Sequence, residues 1–445
     1  MKYRRILAAL AAFAVMTTAF SCSKEKGSST VTDSSVSSED ETGSAKTTES
    51  DGSEDTTDSD GNKTTTASKD KSDKDTTTTK AGEKKADTTT TAKGESSSGN
   101  NSGGSNNNSG GSESSSGDSG NNGGGGSGNN NSGGEEEKEY TAEITLGASP
   151  SVKGSNVTVN GSTVTITKEG DYIFTGSVSE GQIIVKTGVR KTADKVTLVL
   201  NGVNISNSSQ PAIYIDECER CTIKPKDGTV NYVSSDITKK SSTETGAIFS
   251  NDTLKFKGKG ELNITATASH GIKCDDEVTI ESGTYNIESD NSGIIADIDV
   301  TVNDGNINIK AGTNGIKSKG TLHINGGRTV VSGGTKEEKS SLYAPGLFSY
   351  KGGYLYAAGN KVSVPTYTDY PFIVVDIGET VGAGGSVEMV LDGRSAVTMN
   401  PHNDFRCLLM LSPDISSGSS FHTVINGGSS DDFIVSGGQN MFSLK

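Results

Sequence analysis

Hydrophobic and polar residues alternate along short segments of residues 196–334, and the pattern repeats with a period of about 22 residues. The clearest copies begin at Gly271, Gly293 and Gly315, and a longer copy opens at Ala247. Each copy holds two alternating segments separated by a glycine, and a period of two is typical of β-strands. Consecutive copies can bury their hydrophobic faces only against one another. The repeat therefore predicts an all-β fold, a right-handed parallel β-helix.

Stacking the copies in register produces columns of hydrophobic residues that we expect to point inward. Four such columns are Leu254, Val278, Val300 and Leu322; Phe256, Ile280, Val302 and Ile324; Leu262, Tyr285 and Ile307; and Ile264, Ile287, Ile309 and Val331. A further column, where the turn favours positive φ, holds Gly260, Gly283, Gly305 and Gly327. Upstream, Val203, Ile205, Val230 and Tyr232 continue the inward pattern in longer coils.

One column of polar residues is expected to face outward. It consists of Asn204, Asn231, Asn263, Asn286 and Asn308, and Val330 interrupts it. The pattern favours a ladder in which each amide bonds to the coils above and below. The alternative is a row of amides that faces a sugar.

The first 21 residues have the features of a lipoprotein-type signal peptide. Basic residues precede an apolar run at 6–20 that is too short for a stable membrane span. The run leads into AFSC (19–22), which resembles the lipobox of bacterial lipoproteins: Ser21 and Cys22 match it, and the two residues before them depart from it. We expect Cys22 to carry lipid and to anchor the protein at the surface of a Gram-positive cell. An ordinary secretory signal is the alternative.

The chain divides into three further parts. Residues 22–139 are predicted to form a disordered stalk rich in Ser, Thr, Gly and Asn, since residues 37–139 contain no Val, Ile, Leu, Met, Phe, Tyr or Trp to bury. Residues 140–360 are predicted to form the β-helix with its N-terminal cap, and residues 361–445 a β-rich C-terminal cap. Caps are expected because the open ends of the stack need protection.

Acidic residues collect at the turn before the first strand of each coil. They are Asp252, Asp275, Asp276, Glu277, Asp297 and Asp299. Like charges held this close are costly unless a cation lies among them, and oxygen ligands suit calcium. The residues therefore predict a calcium site, with a solvated acidic turn as the alternative. Lys319 replaces the acid of the next coil, so any such site ends there.

Two lysines and two tyrosines are candidates for ligand contact. Lys273 and Lys317 occupy equivalent positions two coils apart, with Ile295 between them. They are candidates to bind sugar carboxylates or to accept a proton in an eliminative cleavage; solvated lysines are the alternative. Tyr354 and Tyr356 share one face of a predicted strand, where their rings either stack on sugars or pack against the cap.

Cysteine spacing and charge exclude other classes. Cys218-x-x-Cys221 lacks a second pair at metal spacing, so packing as buried small hydrophobes is favoured over zinc or redox chemistry. The formal net charge of −15 argues against nucleic acid as a partner. We expect a monomer.

Several segments together indicate a family. VTVNGSTVTITKEGDYIFTGSVSEGQIIV (157–185), VTLVLNGVNISNSSQPAIYI (196–215), GAIFSNDTLKFKGKGELNI (246–264) and LMLSPDISSGSSFHTVINGG (409–428) resemble the clostridial carbohydrate-binding domain-containing proteins, which are pectate-lyase-like β-helices. The resemblance implies an extracellular protein that binds plant cell-wall polysaccharides such as cellulose and polygalacturonate, with bound calcium and without a demonstrated enzymatic role.

Three functions remain open at this point. The leading hypothesis is a non-catalytic, membrane-anchored surface protein that binds acidic or cell-wall polysaccharide with calcium. The second is a calcium-dependent, pectate-type polysaccharide lyase with Lys273 or Lys317 as the base. The third is a surface adhesin or spacer. The fold does not choose among them.

Overall fold

The computed structural model describes residues 19–21, 138–188, 194–238, 245–334 and 339–444. All of the regular secondary structure in these residues is β-strand. The described part of the chain contains no helix that could span a membrane. The predicted lipid site at Cys22 lies outside the described residues. So do nearly all of the predicted signal peptide and stalk.

Seven strands precede the regular coils. They are β1 (Ala19–Ser21), β2 (Ala142–Leu146), β3 (Ser151–Gly154), β4 (Val157–Asn160), β5 (Thr163–Ile166), β6 (Gly170–Val178) and β7 (Gln182–Lys186). The β3 strand pairs antiparallel with β2, and β4 pairs antiparallel with β5. These antiparallel pairs lie where the parallel stack begins.

The coils themselves contain twenty-one strands among the described residues. They are β8 (Lys195–Asn207), β9 (Ile213–Glu217), β10 (Arg220–Pro225), β11 (Val230–Asp236), β12 (Gly246–Ser250), β13 (Thr253–Phe256), β14 (Glu261–Thr267), β15 (His270–Cys274), β16 (Val278–Ile280), β17 (Thr284–Ser289), β18 (Ile294–Ala296), β19 (Val300–Val302), β20 (Asn306–Ala311), β21 (Ile316–Ser318), β22 (Leu322–Ile324), β23 (Arg328–Ser332), β24 (Leu342–Tyr343), β25 (Phe348–Tyr350), β26 (Tyr354–Gly359), β27 (Lys361–Ser363) and β28 (Tyr367–Thr368).

The last eight strands are β29 (Phe372–Val381), β30 (Val387–Leu391), β31 (Arg394–Met399), β32 (Phe405–Leu411), β33 (Ser420–Ile425), β34 (Gly428–Ser429), β35 (Phe433–Ile434) and β36 (Gln439–Ser443). The parallel stack ends where β32 pairs antiparallel with β26. Behind β26 and β32 lies a second hydrophobic core, separate from the one inside the coils. The short β1 strand pairs antiparallel with β27.

The coils form a parallel β-helix of about eight turns, which confirms the predicted fold class. One face is a nine-stranded sheet, here called sheet 1, in the order β24-β21-β18-β15-β12-β9-β7-β5-β4. The other two faces are sheet 2, which contains β10, β13, β16, β19, β22 and β25, and sheet 3, which contains β11, β14, β17, β20, β23 and β26. The long β8 strand belongs to both, since its first half pairs with β10 and its second half with β11.

The four predicted hydrophobic columns are confirmed by the strand register. All of their members are buried in one continuous core. At the turn, Gly283, Gly305 and Gly327 have positive φ, whereas Gly260 does not. A Cβ on Gly305 would lie 2.9 Å from the carbonyl oxygen of Gly283, so close stacking as well as φ requires glycine there.

The predicted register is wrong at one coil. Asn231 points inward and is 0% exposed, whereas Val230 and Tyr232 point outward, with Tyr232 50% exposed. The turn before this strand differs from its counterparts, because the Thr229 amide donates to the Lys226 carbonyl. A shift of one residue exchanges the two faces of a strand.

Inside the coil, the buried amide of Asn231 is fully bonded. Its Oδ1 accepts from the backbone N–H of Gly202 and of Val203, at 2.9 Å each. Its Nδ2 donates to the Thr229 hydroxyl and to the Glu261 carbonyl, at 3.1 Å each. This side chain therefore takes the place of a hydrophobic residue by linking neighbouring coils.

Substitution of these two neighbours tests the register. We expect Asn231→Ala to lower the free energy of unfolding by about 3 kcal/mol, because it leaves buried backbone donors without a partner. Tyr232→Ala is expected to change it by about 0.5 kcal/mol or less. Thermal unfolding of the two variants measures this, and a larger loss for Tyr232→Ala would restore the register predicted from sequence.

Candidate functional site

A row of outward-facing side chains crosses six consecutive strands of sheet 1. The strand register places them one above the next, and we call them the sheet 1 ladder: Tyr214, Phe249, Lys273, Ile295, Lys317 and Tyr343. Because parallel strands are about 4.8 Å apart, the ladder is about 24 Å long. It runs along the solenoid axis.

The alternation of each strand positions this row. The preceding residue on every strand points into the core and is buried: Ile213, Ile248, Ile272, Ile294, Ile316 and Leu342. The next residue must then face outward. The ladder was missed as a whole because only its three central members follow the period of about 22 residues. The short motifs AIYI, AIFS, GIKC, GIIA, GIKS and SLYA carry the signal that would have found it.

The ladder residues contact one another. The rings of Tyr214 and Phe249 lie 5.7 Å apart. The Nζ of Lys273 lies 4.9 Å from the ring centre of Phe249, and that of Lys317 lies 5.3 Å from the ring centre of Tyr343. Such cation–π contacts restrict the lysines before any ligand arrives.

Exposure differs along the ladder. Phe249 is 1% exposed and Ile295 is also buried, whereas Tyr214, Lys317 and Tyr343 are half-buried. The Lys273 side chain is 18% exposed and its Nζ lies 3.5 Å from Asp275. The accessible groups are therefore two ammonium groups between two tyrosine rings.

His270 lies at the start of β15, beside the two lysines. Burial, followed by the charges of Lys273, Lys317 and Lys339, lowers its pKa to about 4. Its Nδ1 accepts a hydrogen bond of 3.1 Å from the Ser292 amide. At neutral pH the ring is uncharged, and the three lysines give this edge of sheet 1 a positive field within an acidic protein.

The six predicted calcium ligands fall into three adjacent columns. Asn251, Asp275, Asp297 and Lys319 form the first, as their backbone hydrogen bonds show. Asp252 and Asp276 belong to the second, where Ile298 follows them, and Glu277 and Asp299 to the third. The stacking of Asn251 over Asp275 and Asp297, and of Asp252 over Asp276, agrees with the sequence register.

Protein groups already occupy most of these carboxylates. Asp252 accepts from the Cys218 amide at 3.0 Å, Asp276 from the Thr253 hydroxyl at 2.9 Å, and Asp299 from the Thr321 amide at 2.6 Å. Asp275 and Asp297 form ion pairs with lysines. Burial raises the pKa of Glu277, and the charges of Asp276 and Asp299 raise it further.

These residues do not fit a calcium cage as they are placed. Calcium takes six to eight oxygen ligands, and nowhere in the described part of the chain do three or more His, Cys, Asp or Glu side chains converge to hold a metal. The carboxylates already have protein partners, above all Asp297, beside which the ammonium of Lys319 lies.

The two predicted tyrosine contacts are not on the ladder. Tyr356 is 2% exposed in the second core, and the Arg328 guanidinium lies 5.5 Å from its ring centre. Burial raises the pKa of Tyr356 to about 12. Tyr354 packs against the same core. Tyr356 therefore cannot stack on a sugar, and the prediction for it is wrong because the C-terminal cap covers this face of sheet 3.

The asparagine ladder and the buried cysteines behave as the favoured interpretations predicted. Asn308 donates to Asn286, and Asn286 to Asn263, at 3.0 Å each. Tyr232 takes the position assigned to Asn231. Cys218 and Cys221 are both buried in the core of the coils.

Residues 160–355 match the family model described as carbohydrate-binding domain-containing protein. A protein of that description from Acetivibrio thermocellus is 33% identical over 133 residues, which are 28% of this chain and 45% of the relative. The match thus spans less than half of the relative's length. These matches confirm the family resemblance inferred from the sequence.

A solved structure is also similar. The gadolinium derivative of the polysaccharide lyase-like protein from C. thermocellum shares 28% identity with this chain. The match covers 49% of this chain and 95% of that one, with a TM-score of 0.41.

The neutral, buried His270 predicts a pH dependence. Its folded pKa of about 4 lies below the ordinary value of 6.5, so the unfolded chain binds its proton first as the pH falls. Stability from this group is complete above about pH 6.5 and decreases by about 2–3 kcal/mol as the pH falls to 4.

Thermal unfolding across this pH range checks the prediction. We expect His270→Gln to flatten the decline relative to the wild type. His323→Gln, on an outward position of sheet 2, is the matched control and should leave the profile unchanged. Equal profiles for the wild type and His270→Gln would contradict this role.

Proposed function

We propose that this domain, whose residues 160–355 match a carbohydrate-binding family model, binds a polysaccharide along the sheet 1 ladder. The ladder is the main structural support for this proposal. Its groups recur at the spacing of the coils, and a polymer with its own repeat offers matching groups at regular intervals. Several modest contacts on one chain add up to a firm attachment.

The chemistry of the ladder favours an acidic polysaccharide. Lys273 and Lys317 are about 9.6 Å apart, two coils along the axis, and their ammonium groups suit sugar carboxylates. Tyr214 and Tyr343 offer rings at the two ends, and flat amphipathic rings stack on sugar faces irrespective of charge. Polygalacturonate is thus the expected ligand of the whole ladder, and cellulose a ligand of its aromatic ends.

Binding without cleavage is the proposed activity. In this arrangement each lysine contacts an aromatic ring, and Lys273 also contacts a carboxylate. These contacts hold both ammonium groups in place before an anionic ligand binds. We put forward no catalytic role, and the proposal includes no calcium, because the acidic turns already have protein partners.

Presentation of this surface outside the cell is part of the proposal. We propose that the signal at residues 1–21 directs export, that Cys22 carries the lipid anchor, and that the stalk of residues 22–139 holds the domain away from the membrane. Support comes from the AFSC sequence and from a stalk without large hydrophobic residues.

Substitution of the ladder lysines tests the binding proposal. We expect Lys273→Ala/Lys317→Ala to weaken retention on polygalacturonate by about 10- to 100-fold, as two charge-assisted contacts are lost. Retention on cellulose should change little. Binding isotherms of the full chain on both polymers measure this, with absorbance of unsaturated product followed in the same samples.

The matched control is Lys310→Ala, which removes an exposed lysine from sheet 3 instead of sheet 1. It should bind as the wild type does. Equal losses for the control and the ladder variant would point to the overall charge of the protein, and release of unsaturated product would show a lyase.

The anchor is tested separately. We expect Cys22→Ser to move the protein from the membrane fraction to the medium, because lipid attachment requires the thiol. Immunoblots of both fractions measure this. Equal distribution of the variant and the wild type would show that Cys22 does not anchor the chain.

A further inference from the structure

A row of charged residues follows the strands of sheet 1 where each strand turns toward sheet 2. In order along the solenoid, this turn row consists of Asp216, Asn251, Asp275, Asp297 and Lys319. Three aspartates thus lie in one stack, with an asparagine among them and a lysine at one end. On the preceding strand, a shift in register pairs Lys186 with Glu217, next to Asp216.

Each aspartate has its own lysine. The Nζ of Lys186 lies 2.5 Å from Asp216 Oδ2, that of Lys273 lies 3.5 Å from Asp275 Oδ1, and that of Lys319 lies 2.7 Å from Asp297 Oδ1. The Lys319 ammonium makes no well-directed hydrogen bond to this buried oxygen, so the attraction there is Coulombic. The three lysines, of which Lys273 belongs to the sheet 1 ladder, thus balance the three aspartates of the row.

The neutral member of the row is bonded as well. Asn251 Nδ2 donates to the Asp216 carbonyl at 3.0 Å and to the Tyr214 hydroxyl at 3.4 Å. The Tyr214 hydroxyl in turn donates to Asp216 Oδ1 at 3.0 Å. An acid at this position would stack a fourth negative charge between Asp216 and Asp275.

We propose that Lys186, Lys273 and Lys319 serve as built-in counter-ions that take the place of a divalent cation on this turn row. The stability of the solenoid is then independent of calcium. Stacked carboxylates about 4.8 Å apart repel one another unless positive charge lies between or beside them. A lysine on the neighbouring coil supplies that charge to Asp216 and to Asp297, and Lys273 of the same coil supplies it to Asp275, without an ion from solution. This inference concerns the fold; it shares Lys273 with the proposed glycan binding, and its test therefore uses Lys319, which lies outside the ladder.

The test is thermal unfolding of the full chain in chelator and in excess calcium. The wild type should unfold at the same temperature in both. Lys319→Met, which keeps most of the aliphatic part of the side chain and removes the charge, should unfold about 2–4 °C lower in chelator. Calcium should raise it again, since Asp297 then lacks its lysine and lies one coil from the carboxylate of Asp275. Lys310→Met, on sheet 3, is the matched control and should follow the wild type.

A double variant separates charge from packing. Asp297→Asn/Lys319→Met removes both members of the pair, and we expect it to recover most of the loss in chelator and to respond little to calcium. Calcium stabilisation of the wild type would overturn the proposal. So would a Lys319→Met variant that is as stable as the wild type in chelator, or one that calcium does not raise. Glycan retention is not measured here, so failure of this inference leaves the proposed function unaffected.

Discussion

The parallel backbone ladder between coils is the interaction on which everything else in this protein depends. Each strand pairs with the equivalent strand of the next coil, so that a residue and its counterpart lie about 4.8 Å apart. This spacing permits the hydrophobic columns to close the core. It also requires glycine at Gly305, where the carbonyl of the coil above leaves no room for a side chain.

The same register also stacks the equivalent side chains of successive coils, so any chemical group in the repeat recurs as a column. Copying a hydrophobic residue into every coil builds a core, but copying an aspartate builds a column of like charges. The chain resolves this by varying the column: Asn251 replaces one acid, and Lys319 ends the row. On sheet 1 the corresponding variation places lysines between aromatic rings. Both surfaces are consequences of register, and each departs from strict repetition where strict repetition would be unfavourable.

The sequence predicted the coils best where their period is constant. Between Leu254 and Val331 no long insertion interrupts the repeat, and the inward columns follow from alternation alone. Asn231 was misplaced because a different turn, closed by Thr229 and Lys226, shifted the alternation by one residue. Tyr214 and Tyr343 were missed because the coils around them are longer. Tyr356 was misjudged because its burial depends on a cap that pairs with β26 from far along the chain.

Net charge is a poor guide to the ligand of such a protein, because the solenoid sorts charge by column. The chain carries a formal charge of −15, yet the acids of the turn row are paired with lysines. The charges of Lys273, Lys317 and Lys339 meanwhile act on a histidine whose pKa burial lowers. A protonated His270 would strengthen attraction for an anion but would cost stability beside three ammonium groups. Because the pKa of His270 is near 4, the charge of this edge of sheet 1 is constant over the pH range in which most polysaccharide carboxylates remain ionised. The stability of the fold, in contrast, changes over that pH range.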